Sequence, residues 1–167
     1  MTDLELRTQL KNIHAASYGW AIQCCRGNRD LAKDILQTAY LKVLYKKAVF
    51  SGKSVFKTWF YAVIRNTSRD TYNSEIKQQQ KNFEFANSVE KVSLPVEFEE
   101  GDQFFERALV ILTNRQRELL HLMFYQEMTI NQAAEVMNIS GGSARQHYHR
   151  AKIQLKDWII ANKILES

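Results

Sequence analysis

Tyr61 stands in a series of cations at helical spacing: Lys57 four residues before it, Arg65 four after, and Arg69 four beyond that. On a helix these side chains share a face, an aromatic ring among ammonium and guanidinium groups, with Asn66 beside them. Such a face can stack a nucleic-acid base while its charges hold phosphates. The same residues also fit a plainer arrangement, a tyrosine at the rim of a core among solvated charges, and the stretch alone leaves both open. A second constellation lies near the C-terminus, where Ser143, Arg145, Gln146, His149 and Arg150 are left facing outward once Ala144, Tyr148, Ala151 and Leu155 are placed inside a helix. Polar and basic groups in that pattern suit the edges of base pairs and the backbone beside them.

Other chemistries find little support. His14, His121, His147 and His149 have no metal-ligand spacing with cysteines or carboxylates, and Cys24 and Cys25 point about 100° apart on a helix. They read as helix interior. No glycine-rich phosphate loop or nucleophile motif occurs. The expectation is a protein that is not an enzyme, with no metal and no cofactor.

The elements that must position these side chains are helical. The chain has 167 residues, 45% hydrophobic and 11% aromatic, with one proline and six glycines. That composition supports globular cores, and few segments alternate with period two. Residues 4–24 read as one or two helices, with Leu6, Leu10, Ile13, Trp20 and Ile22 inward, ended by the turn signal Gly27-Asn28. A second helix from Asp30 carries the stripe Leu31, Ile35, Leu36, Ala39, Val43 and Leu44. A loop at Phe50–Ser54 leads to a third, capped by Ser54, on which Phe56, Trp59, Phe60, Val63 and Ile64 form an apolar stripe running toward Tyr72 or beyond.

Charge divides the chain in three. Residues 1–83 carry 14 basic and 6 acidic side chains, residues 84–106 one and 7, and residues 107–167 carry 8 and 5. Two basic modules meeting a polyanion, joined by an acidic segment, is the organisation this suggests. The domains are therefore expected at 1–79 and 105–167, with a linker at 80–104 that contains Pro95 and the cluster Glu97–Asp102. In the second module a helix begins at Thr113 or Asn114, with Leu119, Leu120, Met123 and Phe124 inside. Thr129 caps the short helix INQAAEVM, Asn138 makes the turn, and Ser140 caps a longer helix after it. Short helix, tight turn and longer basic helix form a helix-turn-helix, whose second helix enters a DNA major groove. The N-terminal MTDLELRTQLKN is too charged for a signal peptide, and no apolar run reaches membrane-spanning length. A soluble, cytoplasmic protein with no membrane partner is expected.

With both modules assembled, the sequence resembles an RNA polymerase sigma factor of the extracytoplasmic-function group of the sigma-70 family. GNRDLAKDILQTAYLKVL resembles that family's polymerase-clamp-binding helix, FSGKSVFKTWFYAVIRNTSRD its promoter-melting segment, and LTNRQRELL with INQAAEVMNISGGSARQHYHRAKIQL its −35-reading domain. The resemblance implies an all-α fold, an N-terminal helical bundle of the region 2 type linked to a region 4 helix-turn-helix, and an alternative sigma factor that binds core RNA polymerase and melts promoter DNA. It implies polymerase contacts, to the beta and beta-prime subunits, at Asp30, Asp34, Gln37, Tyr40 and Leu41. At the −10 element it implies base contacts at Phe50, Tyr61 and Asn66, and phosphate contacts at Lys53, Lys57, Arg65 and Arg69. For the −35 element it points to Ser140, Ser143, Arg145, Gln146, His149, Arg150 and Lys152. An anti-sigma antagonist is a further partner the family suggests, and the departures from the family pattern admit a recruiting protein that helps place the polymerase on DNA. Departures from the family pattern are Thr38 after Gln37, Asn138 at the turn, the sparsely basic NSEIKQQQKN, and His147-Tyr148 on the recognition helix. A stand-alone helix-turn-helix regulator would account for residues 107–167 equally well, but would leave the clamp-like helix and FKTWFYAVIRN without a task.

Overall fold

The computed structural model describes residues 1–82 and 103–166, and the side chains of 1–78 and 107–163. The chain divides into two compact units, Met1–Val96 and Glu97–Ser167. The segment expected as a linker lies mostly outside the described residues.

The first unit is a helical bundle of α1 (Asp3–Asn12), α2 (His14–Cys24), α3 (Arg29–Leu44) and α4 (Phe56–Asn82). A capping box between Thr2 and Glu5 starts α1, satisfying two backbone donors that the first turn would otherwise leave orphaned. Asn28 starts α3 in the same sense, its side chain accepting from the Leu31 N–H. Between α2 and α3 the backbone turns through two left-handed residues, Arg26 at φ 54° and Gly27 at φ 87°. Ala32, Ile35, Leu36, Ala39 and Val43 then recur at three- and four-residue intervals and are all buried. They pack toward α2 and α4 around Trp20, which has no exposed surface. Leu44, at the end of that stripe, is exposed.

α4 differs from the simple stripe. Phe56, Phe60 and Ile64 are buried as expected, but Trp59 and Val63 are only half-buried, whereas Thr58, Tyr61, Arg65 and Thr67 are buried. The helix packs against both α2 and α3. Two neighbours cover a wider arc than the single face an amphipathic pattern describes. It also begins at Phe56, so the residue before its first turn is Val55 and not Ser54.

The second unit contains α5 (Gln103–Val110), α6 (Asn114–Leu120), a π-helical turn at His121–Tyr125, α7 (Ile130–Met137) and α8 (Gly141–Glu166). Capping boxes at Thr113/Gln116 and Thr129/Gln132 start α6 and α7. Asn138 ends α7 in the left-handed conformation, φ 54° and ψ 46°. The Ile139 N–H then reaches back to the Ala134 carbonyl at 3.0 Å, closing a Schellman motif. Ser140 caps α8 by accepting from the Ser143 N–H at 3.0 Å. Ala133, Ala134 and Ala144 are buried, and small side chains at these places let α7 and α8 approach closely, while Ala151 packs with Leu112 and Leu120. This is the helix-turn-helix read from the sequence.

The π-helical turn is the departure. Gln126 N–H bonds the His121 carbonyl five residues back at 3.1 Å. One extra residue in the turn rotates the next side chains by about 100° relative to an α-helix. Phe124, expected inside, is consequently 64% exposed, and Tyr125 is 66% exposed.

Candidate protein and nucleic-acid interfaces

Three surfaces carry the candidate side chains. On α3, Asp30, Asp34, Gln37 and Leu41 are exposed and succeed each other at four, three and four residues, so they line one face. The stripe Ala32, Ile35, Leu36, Ala39 and Val43 holds that helix by its other side. Tyr40 is half-buried: its ring stacks on Phe60 at 5.5 Å and its hydroxyl lies 2.6 Å from His14 Nδ1. Burial raises its phenolic pKa. Tyr40 thus ties the expected protein-binding face to the core. The Thr38 hydroxyl donates back to the Asp34 carbonyl at 2.9 Å, so its side chain folds onto its own helix.

The second surface is formed by the loop before α4 and the outward part of that helix. Phe50 sits edge-on to Phe56 at 5.4 Å and tilted against Trp59 at 5.3 Å. These contacts anchor the loop, whose tip passes through Gly52 at φ 79°. Lys53, Asn66 and Arg69 are exposed, and Lys57 lies with its ammonium 5.5 Å from the centre of the Tyr61 ring. A salt bridge of 3.7 Å from Lys42 to Asp70, and a 3.0 Å hydrogen bond from the same ammonium to Thr67, cross-link α3 to α4 behind this face.

Two expectations are corrected by the packing. Tyr61 is 0% exposed, its ring parallel to Trp20 at 6.1 Å, and its carbonyl accepts from the Trp20 indole N–H at 3.0 Å. A ring enclosed in that way has no open face for a base. Burial also pushes its phenol well above the usual range. Arg65 is only 7% exposed and cannot present its guanidinium to a phosphate as placed. The cause is the same in both cases, the wide burial of α4 between α2 and α3. Trp59 moves the other way. Half-exposed beside Phe50, it shares a helical face with Ala62, Asn66 and Arg69, at intervals of three, seven and ten residues. Sequence reasoning missed it because a tryptophan on an apolar stripe reads as core.

The third surface is the first half of α8. Arg145, Gln146, His149, Arg150 and Lys152 are exposed, Ser140 is exposed with its oxygen engaged as a cap, and Ser143 is half-buried. Ala144 and Ala151 fix the opposite side of the helix in the core. Lys152 lies over the Tyr148 ring at 4.7 Å. Behind this helix-turn-helix, His121 is packed against Tyr125 at 5.3 Å and meets Gln126 through its Nε2 at 3.1 Å. Burial lowers its pKa from 6.5 to about 4.

The two units match two family models. Residues 13–78 match Sigma-70 region 2, and residues 108–157 match Sigma-70, region 4. The chain belongs to the sigma-70 family. Relatives include the RNA polymerase sigma factor YlaC of Bacillus subtilis, 24% identical over 136 residues and covering 76% of each chain. The ECF RNA polymerase sigma factor EcfG of Rhodopseudomonas palustris is 26% identical over 133 residues, 77% of this chain and 71% of that one. Together with the two matched regions, such relatives put this sigma factor in the extracytoplasmic-function group. In fold it is similar to the sigma factor RpoE of Bartonella quintana, solved with the anti-sigma factor NepR, at a TM-score of 0.71 and 22% identity over 93% of this chain and 96% of that one. None of the described helices is long and apolar enough to cross a membrane.

Proposed function

We propose that this sigma factor binds core RNA polymerase and directs it to promoters, holding the upstream element with α8 while the first unit opens the −10 region. The observation that carries the reading is the presence of region 2 and region 4 in one chain, each with an exposed face of fitting chemistry. Asp30, Asp34, Gln37 and Leu41 offer an acidic and apolar face to polymerase, and Tyr40 stiffens it. At the opened strand, Phe50 and Trp59 supply aromatic surface, Asn66 a base-reading amide, and Lys53, Lys57 and Arg69 positive charge. Taking a base out of the stack costs a few kcal/mol, which stacking and hydrogen bonding on the protein offset. On α8, Arg145, Gln146, His149 and Arg150 face the major groove, with Lys152 at its edge. The residues of the acidic segment 84–106 separate two basic modules that need not bind the same stretch of DNA. A cytoplasmic location goes with this reading, and so does control by an anti-sigma factor of the kind that accompanies the Bartonella quintana relative.

Transcription run-off with purified core polymerase tests it, with the start site mapped. Promoter-specific transcripts that depend on the chain are expected; core enzyme binding no tighter than background would return the chain to a simple helix-turn-helix regulator. Within that assay, Asn66→Ala should form closed complexes yet show weak permanganate reactivity of promoter thymines, and a premelted bubble should restore it. If Asn66→Ala opens duplex as well as the parent does, Asn66 leaves the melting face.

A further inference from the structure

Gly141 opens the recognition helix, and its missing side chain leaves a gap with two occupants. A Cβ built there would lie 3.3 Å from Arg145 Nη1, 3.7 Å from Nη2 and 3.3 Å from Asn131 Oδ1. Helical side chains lean toward the N-terminus, which carries the Arg145 guanidinium one turn back over the start of its own helix. There it borders the same gap as a carboxamide that projects from the second residue of α7. The guanidinium has only donors and the Asn131 oxygen only accepts. Both side chains are exposed.

We propose that Asn131 and the bare Cα of Gly141 position Arg145, and so select the base pair that this arginine reads. The inference rests on the reading of α8 as the upstream recognition helix. A bidentate arginine discriminates between bases only when its planar fork is held in one orientation. On an exposed helix an arginine samples many rotamers, and ordering it is costly. An acceptor within reach on the neighbouring helix, beside a gap that a side chain at position 141 would crowd, narrows that choice. Asn131 is thereby a positioning residue that acts through Arg145. Gly141 contributes the space: alanine there forces the guanidinium, the carboxamide or both to give by a few tenths of an ångström. The backbone does not need glycine at this place, since Gly141 is not among the positive-φ residues.

The test uses polymerase holoenzyme assembled with the full chain, and upstream duplexes selected by it from a random-sequence pool. Each selected base pair is then substituted in turn. Arg145→Ala should lower discrimination at one base pair by roughly tenfold or more, the scale of a lost bidentate contact. Asn131→Ala should lower it several-fold at that same base pair, and Asn131→Asp, which keeps an acceptor, should retain it. In an Arg145→Ala background Asn131→Ala should add nothing. Gly141→Ala should disturb the same base pair, and its helix should remain intact because alanine favours helix over glycine. If Asn131→Ala weakens all sequences uniformly, or adds its full effect on top of Arg145→Ala, Asn131 contacts DNA or supports the fold independently and the positioning role is wrong. If Arg145→Ala leaves discrimination unchanged at every base pair, the assignment of α8 falls together with this inference.

Discussion

Replacing Tyr61 separates a scaffold from a DNA contact more sharply than any other change in the first unit. Its ring is fully enclosed and lies against Trp20, and the indole of Trp20 bonds to its own carbonyl. Emptying a buried aromatic site to alanine costs about 3–5 kcal/mol, from lost transfer energy and the cavity left behind. In a unit of this size 1 kcal/mol corresponds to roughly 4–8 °C in the unfolding temperature, so Tyr61→Ala should lower the midpoint by on the order of 20 °C. Tyr61→Phe keeps the ring and should lose about 1 kcal/mol or less, with a shift of a few degrees. Thermal melts of the full chain followed by near-ultraviolet circular dichroism, to which Trp20 contributes together with Trp59 and Trp158, make the measurement. At a temperature where both variants are folded, each folded Tyr61→Phe molecule should open promoter DNA as the parent does. A Tyr61→Ala variant that melts within about 3 °C of the parent, yet fails to open DNA, would refute the burial argument and restore Tyr61 to the strand-binding face.

His121 gives the second unit a pH-dependent stability. Its folded pKa of about 4 lies below the ordinary 6.5, so the unfolded chain takes up the proton first. That contribution is complete above about pH 6.5 and is lost as pH falls toward 4. Between pH 7 and pH 5 the loss should be about 2 kcal/mol in urea titrations, and His121→Leu should abolish that slope. A slope unchanged by the substitution would mean that other groups carry it. Asn138→Ala places an ordinary side chain at φ 54° and should destabilise the same unit by about 1 kcal/mol, whereas Asn138→Gly should be neutral or stabilising; equal midpoints for both would show that the left-handed turn is not held. Asp34→Arg, on the exposed face of α3, should leave the melting temperature within a degree or two while raising the dissociation constant for core polymerase at least several-fold. Unchanged affinity in a titration would remove Asp34 from that face.

Local information determined much of this protein. Three- and four-residue spacing of apolar side chains announces α3, α7 and α8. Thr129, Asn138 and Ser140 mark the boundaries of the helix-turn-helix with short-range hydrogen bonds that a few residues can complete by themselves. The outward face of α8 was legible for the same reason, because a helix held by Ala144 and Ala151 leaves its remaining positions little choice. Tyr61 and Arg65 were decided elsewhere. A periodic pattern locates the centre of a buried stripe but not its width, and the width of α4 depends on where α2 and α3 come to rest against it. Phe124 was decided by one added residue in the turn after α6, since the hydrogen bond to His121 that rotates it outward has no signature in composition. The meeting of Asn131 with Arg145 over Gly141 belongs to the same class. It joins two helices across a turn, and only the packing of α7 against α8 brings that acceptor and that guanidinium to one place.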